Sequence, residues 1–421
     1  MTAIEAAVAR KRCRRRPQKR RTRRRAEVRE ERRMRSSVQG GDDASEASAA
    51  LANCWWRSLI EFDGDSEGGR TEATAGSRGA VASPRVRVLR ELERLAAAAN
   101  VSLDDIRHKL LTYNAGDLWL PAGGIPKHET DIPPVITILL LGLAGTGKTA
   151  LVDLMYCVLG RAGFLPFAQS IPLAGSNDGR TQCLEEHNVL RSMRSGFCIF
   201  DSRGLDCDRM ADGLEEVADW MNEGVRHGQP CRGANPPDAP APASAPPATR
   251  FLRRRVNCPV VVANLYELHH SLLSGDPRPL EATRDLFHYP PIKISPTDSP
   301  ILVLTHGDEL SPEERIQARV KTCEYLGVSE TNGVYDISCL NEYGTAVDEM
   351  DPATSYAVAE AIFRALVVAD RTHPAKASIK EWLLVVITWA MCALSTFFAF
   401  LSCCCSKLAK ANREYTKLRT Q

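Results

Sequence analysis

The run VITILLLGLAGTGKTALVDLMYCVLG, residues 135–160, constrains the fold more than any other stretch of this chain. Its opening, Val135 to Leu141, is largely apolar and reads as a buried strand. An apolar helical run, Ala150 to Leu159, follows and closes at Gly160. Between them lie Gly142, Leu143, Ala144, Gly145, Thr146, Gly147, Lys148 and Thr149, which meet G-x-x-x-x-G-K-[ST] at every fixed position. Gly142, Gly145 and Gly147 let the backbone curl so that its N–H groups face phosphate oxygens. The helix N-terminus, with Ala150 in its first turn, adds partial positive charge at the same place. Lys148 reaches the outer phosphates, and the Thr149 hydroxyl is the expected magnesium ligand. A glycine-rich turn that binds nothing would leave Lys148 and Thr149 unexplained.

Strand-like runs recur at Phe197 to Phe200, Val256 to Leu265, Ser299 to Thr305 and Val334 to Ile337. Helical segments alternate with them: Met210 to Gly228, one opened by the capping signal Ser311-x-x-Glu314, and Pro352 to Val368. This alternation predicts an α/β domain with a mostly parallel sheet, whose ligands bind at the carboxyl ends of the strands. Those ends are the glycine loop, Asp201 in Asp201-Ser-Arg-Gly204, Asp308 in Thr305-His306-Gly307-Asp308, and Ser338-Cys339.

The flanks have other compositions. Residues 1–35 carry sixteen Lys/Arg and four Glu, or +12, whereas the whole chain is +2, leaving −10 for the rest. That basic head is too charged to bury and is expected to be disordered, with a charge suited to anionic lipid or nucleic acid. Residues 36–83 read as a linker in which the adjacent Trp55 and Trp56 make no site. Residues 84–113 read as two helices, the second capped by Ser102, packed on the flank of a domain over 114–374. Residues 161–188 look irregular and include Thr181. Residues 229–250 hold seven prolines and read as a surface insertion outside the core. The 14 cysteines form no C-x-x-C pair outside the run Cys403 to Cys405, which disfavours a zinc site and predicts reduced thiols.

Trp382 to Ser406 is 25 residues without a charge. As a helix it reaches roughly 37 Å, and a bilayer core needs about 30 Å. The sequence therefore predicts a transmembrane helix over 382–406 with a short basic tail over 407–421. Its place near the C-terminus reads as a tail anchor in the lipid bilayer, with the nucleotide domain cytosolic. The surface of the endoplasmic reticulum, or the mitochondrial or plastid outer membrane, suits the basic tail. Cys403 to Cys405 have the composition of acylation sites, but this topology puts them on the far side of the membrane.

The order GLAGTGKT, a threonine, DSRG, THGD and ISC resembles the five guanine-nucleotide motifs of Ras-like and septin-like P-loop GTPases. From about Tyr113 to Pro374 the chain is similar to a family of plant and algal P-loop proteins. GDLWLPAGGI, EEHNVLRSMRSGFCIFDSRG and LTHGDELS carry that likeness. More distant likenesses are the membrane-anchored immune-associated GTPases and the chloroplast outer-envelope import-receptor GTPases. The resemblance implies a P-loop NTPase fold, a Ras-like three-layer sandwich, binding GTP or GDP with Mg2+. It implies that Gly142, Gly145, Thr146, Gly147, Lys148, Thr149 and Ala150 hold phosphates. Asp201 would meet magnesium through a water, Thr181 would complete the metal shell, and the Gly204 N–H would meet the γ-phosphate. Asp308 would accept from the guanine N1 and N2 donors, Thr305 and His306 would carry the base loop, and Ser338 and Cys339 would border the base. Lys148, Thr181 and Gly204 would serve hydrolysis.

The family's usual lysine before Asp308 is His306 here, which points to weaker base packing. Leu205 stands where Ras-like enzymes place a water-orienting glutamine. Hydrolysis is therefore expected to be slow, with help from Arg203 or from a partner's arginine. A GTPase switch of this kind implies regulatory partners for exchange or activation, and related proteins pair as homodimers. Two other readings stay open: a membrane-anchored scaffold with a non-hydrolysing pocket, and an ATP-using P-loop phosphotransferase, which has no need for T-x-x-D after a late strand.

Overall fold

The structure, a computed structural model, describes residues 54–60, 82–121, 126–160, 183–190, 196–232, 253–294, 299–339, 351–376 and 379–419. The basic head, the Thr181 segment and most of the proline-rich insertion lie outside these residues.

Seven strands form one sheet. They are β1 (Ile136–Leu141), β2 (Cys183–His187), β3 (Phe197–Asp201), β4 (Gln229–Pro230), β5 (Cys258–Asn264), β6 (Ile301–Thr305) and β7 (Val334–Asp336). The sheet order is β4-β2-β3-β1-β5-β6-β7. Strands β3, β1, β5, β6 and β7 run parallel, whereas β2 is antiparallel to β3 and β4 to β2. The chain is thus α/β with a mostly parallel sheet.

The helices are α1 (Pro84–Thr112), α2 (Lys148–Leu159), α3 (Met210–Glu223), α4 (Leu265–Ser274), α5 (Arg278–Phe287), α6 (Pro312–Leu326), α7 (Pro352–Arg371) and α8 (Ile379–Arg419). Strand β1 explains the layering. Side chains alternate across a strand, so Ile136, Ile138 and Leu140 enter one core with α1, α2 and α7. Leu139 and Leu141 enter the other, with α3, α4, α5 and α6. All six residues of β1 are buried, as a parallel strand covered on both faces requires.

Several sequence expectations are corrected. Residues 84–112 form one helix, not two: Ser102 sits inside α1 and returns its hydroxyl to the Ala98 carbonyl at 2.9 Å. The N-cap is Ser83, whose side chain accepts from the Val86 N–H. The segment read as irregular ends in β2, where Leu184 and His187 are buried. The insertion begins with β4, and Cys231 beside it is buried. Within the linker, residues 57–60 are helical, and Trp56 is only 1% exposed in the core. The cysteines among the described residues carry free thiols.

The chain divides into two units, one of residues 1–118 and 134–372, the other of 119–133 and 373–421. In the second, Thr130 bridges Ala375, the Asp131 N–H donates to the Pro374 carbonyl at 2.8 Å, and α8 follows. Among the described residues, two helices are long and apolar enough to cross a membrane. One is α7, which is mostly buried; the other is Trp382–Lys410 within α8, with mean hydropathy 2.2 and none of its window buried.

Candidate functional site

The glycine loop lies between β1 and α2, at the carboxyl end of the central strand. Gly145 (φ 80°) and Gly147 (φ 70°) are left-handed, which reverses the chain without the steric cost of a Cβ. Gly142 is small for another reason: a Cβ there would lie 2.2 Å from the Val262 carbonyl oxygen of β5. Gly147 caps α2 with no side-chain hydrogen bond, so the first N–H groups of the helix, those of Lys148, Thr149 and Ala150, have no side-chain cap. An end of this kind favours an anion.

Lys148 is folded back into the loop. Its Nζ donates to the Gly142 carbonyl at 3.2 Å, the Leu143 carbonyl at 2.9 Å and Thr146 Oγ1 at 3.3 Å. Burial lowers its pKa to about 8, opposed by the nearby Asp201 charge. Thr149 Oγ1 donates to Asp201 Oδ2 at 2.6 Å. Asp201 ends β3, is 1% exposed and is pushed up to about 6 by burial, with Thr149 and Lys148 pulling the other way. Its Oδ1 is buried with no hydrogen-bond partner.

Asp201-Ser-Arg-Gly204 folds directly onto the loop. The Leu205 N–H donates to the Gly142 carbonyl at 3.0 Å, and the Ala144 N–H donates to the Leu205 carbonyl at 2.8 Å. A Cβ on Gly204 would lie 2.3 Å from the Ala144 Cα, so only glycine permits this approach. Leu205 is 5% exposed and packs with Val217 and Trp220 of α3. Arg203 donates to the Arg232 carbonyl at 2.6 Å. A cleft of 750 Å³ opens over this junction, lined by Gly145, Gly147, Lys148, Thr149, Ala150 and Gly204 among others. Thr181 lies outside the described residues.

The turn after β6 touches the loop from the other side. Thr305 Oγ1 donates to the Thr146 carbonyl at 3.0 Å. His306 (φ 56°) is the one non-glycine residue with positive φ among those described, and its Nδ1 lies 3.0 Å from Thr305 Oγ1. Its ring packs at Gly147, where a Cβ would stand 3.1 Å from His306 Cε1. Asp308 is exposed beside the half-buried Cys339, whose thiol is pushed up to about 12 by burial and by the Asp308 charge. Ser338 Oγ accepts from Arg315 Nη2 at 2.9 Å. Arg315 and Asp336 carry no expectation from the sequence, and Trp55, read there as making no site, lies over the Arg315 guanidinium. They meet from distant segments: Arg315 and Asp336 are 21 residues apart, on a helix and on the strand that follows it, and no local pattern pairs them.

No protein-family model matches this chain, and no curated protein is similar to it.

Proposed function

We propose that this protein binds guanine nucleotide at the glycine loop, hydrolyses GTP slowly, and is anchored to a membrane through α8. The observation that carries the reading is that Lys148 and Thr149 line one cleft at an uncapped helix N-terminus, with Thr149 hydrogen-bonded to the buried Asp201, whose Oδ1 has no partner. Layered helices around a parallel sheet, with the candidate turns at strand carboxyl ends, support a Ras-like P-loop fold.

Lys148 and the N–H groups of Gly145 to Ala150 would hold the phosphates. Thr149 Oγ1 and Asp201 Oδ1 are hard oxygen donors, and the second is buried without a partner, so the pair fits magnesium. Magnesium bound there would offset phosphate charge. Thr181 completes this proposed set. Asp308 would accept from the guanine N1 and N2 donors, which adenine lacks, with Ser338 and Cys339 at the edge of the base.

Slow turnover follows from Leu205. Leu205 is committed to the core and cannot orient a water, and Arg203, which lines the cleft, spends one donor on the Arg232 carbonyl. An arginine from a regulatory partner or from a second copy would supply what is missing. The same burial of Leu205 favours the second reading, a scaffold whose nucleotide is never turned over. The exposed apolar surface of α8 supports the anchor, with the nucleotide domain on the cytosolic face of an organelle membrane.

The test uses the full chain in detergent micelles with a fluorescent guanine nucleotide. GTP is expected to displace the probe at stoichiometric levels, with ATP ineffective at a hundredfold excess. Equal displacement by ATP overturns the guanine assignment. Phosphate release with magnesium supports turnover, and tight binding without release supports the scaffold.

A further inference from the structure

Arg315, on α6, is only 4% exposed, yet nothing in the phosphate cleft uses it. Its guanidinium makes a two-pronged contact with Asp336 at the end of β7: Nε to Oδ2 at 2.8 Å and Nη2 to Oδ1 at 2.7 Å. The same Nη2 donates to Ser338 Oγ at 2.9 Å. Gly307 rests on this ion pair, since a Cβ there would lie 2.6 Å from Arg315 Nε and 2.8 Å from Asp336 Oδ1. The ring of Trp55 stacks on the guanidinium, whose carbon is 4.1 Å from its centroid. Trp55 is itself held in place. Its neighbour Trp56 is buried in the core, and Cys54 Sγ donates to Asp351 Oδ1 at 3.6 Å, Asp351 being the N-cap of α7.

We propose that Arg315 is the positioning residue for base selection. It fixes the turn that carries Asp308 against the turn that carries Ser338 and Cys339, and Trp55 is the clamp that holds it there. The inference rests on the guanine reading of the site. A planar fork satisfies both carboxylate oxygens and the serine at once and still presents a face to stack, which a lysine ammonium cannot do. The cation–π contact keeps the fork from rotating. Gly307 is adjacent to Asp308, so its seat on the fork sets where the Asp308 carboxylate stands. An N-terminal segment thereby contributes to nucleotide choice from about 250 residues away in sequence, as the difference between positions 307 and 55 (252) shows.

The experiment compares GDP, IDP, ADP and pyrophosphate as competitors for a labelled guanine nucleotide on the full chain in micelles. Inosine lacks the 2-amino group that Asp308 would receive, so wild type is expected to prefer GDP over IDP about tenfold. Arg315→Lys is expected to cut that preference at least threefold and to leave pyrophosphate affinity, which depends on the glycine loop, unchanged. Trp55→Leu should cut it by less, and Trp55→Phe should restore it. An undiminished preference in Arg315→Lys with intact pyrophosphate binding overturns the inference alone. If Arg315→Lys loses pyrophosphate binding through misfolding, Trp55→Leu decides: an unchanged ratio overturns the inference, and a reduced one supports it. Wild type that binds ADP as well as GDP overturns the guanine reading itself, and this inference with it.

Discussion

Thr149 Oγ1 donates to Asp201 Oδ2 at 2.6 Å, joining the first turn of α2 to the last residue of β3. Asp201 is nonetheless held up at about 6, because burial outweighs that hydrogen bond and the Lys148 charge. A carboxyl whose folded pKa exceeds its unfolded value binds more protons folded than unfolded between about pH 4 and 6. Stability of the nucleotide-free protein should therefore fall as pH rises through that window and level off above it, by about 2–3 kcal/mol. Asp201→Asn should remove the slope. Urea melts with chelator at pH 4.5 and 7 test this, and an identical slope in the variant would contradict it.

Lys148 gives the opposite pH signature. Its folded pKa of about 8 lies below the usual lysine value, so ionisation opposes folding most fully below pH 8. Stability should recover as pH rises from about 8 to 10.5. Lys148→Met should flatten that rise and abolish binding of guanine and adenine nucleotides alike. Thermal melts across the range, paired with nucleotide titration, report both effects; retained binding would sink the role given to this lysine.

The parts of this architecture that a sequence announces are local. Strand β1, the glycine loop and β3 are continuous apolar runs ending in glycine or aspartate, and they appear where the pattern puts them. Strand β2 escapes because CLEEH puts two adjacent glutamates in five residues and is ordered by pairing with β3 and β4. Ser102 resembles a cap because its neighbours match the box, but packing of α1 against α7 makes continuing the helix better than stopping it. Trp56 looks like linker sequence until the core it enters, assembled from α1 and α7, exists. The proposed base corner is legible only in part. Asp308 and Ser338 stand at strand ends, but the Arg315–Asp336 pair and Trp55 are tertiary facts.

Gly204 is held by space rather than by dihedral angle. A methyl group there would meet the Ala144 Cα at 2.3 Å and its nitrogen at 2.7 Å, both backbone atoms that cannot swing aside. Gly204→Ala should therefore break the paired hydrogen bonds between Leu205 and the loop and destabilise the fold by about 2–4 kcal/mol. Denaturant unfolding measures it. Gly228→Ala has open space at a left-handed position and should cost only about 1 kcal/mol.

Asp308→Asn tests base recognition directly. In the proposed site the Asp308 carboxylate would accept from the guanine N1 and N2 donors; as an amide it has one donor and one acceptor, which would suit the 2-oxo group of xanthine. The variant should lose guanine affinity at least tenfold and gain affinity for xanthosine diphosphate. Its exposure predicts little change in melting temperature. Competition titrations with the two nucleotides decide the matter, and an unchanged preference would remove Asp308 from the base site.

The two apolar helices should respond to charge in opposite ways. In α8, Leu394 and Phe397 are 49% and 57% exposed, so neither lies in a core that a charge would disrupt. Arginine at both positions costs about 2.5–3.5 kcal/mol each at the centre of a bilayer, enough to oppose insertion. The double variant should move from the membrane pellet to the supernatant on alkaline carbonate extraction, with the nucleotide site still folded. In α7, Ile362 is 2% exposed inside the core, and arginine there leaves a buried unpaired charge. Ile362→Arg should abolish nucleotide binding and folding without releasing the chain from the membrane, because the proposed anchor is α8. If Ile362→Arg instead solubilised a folded protein, the assignment of the two helices would be reversed.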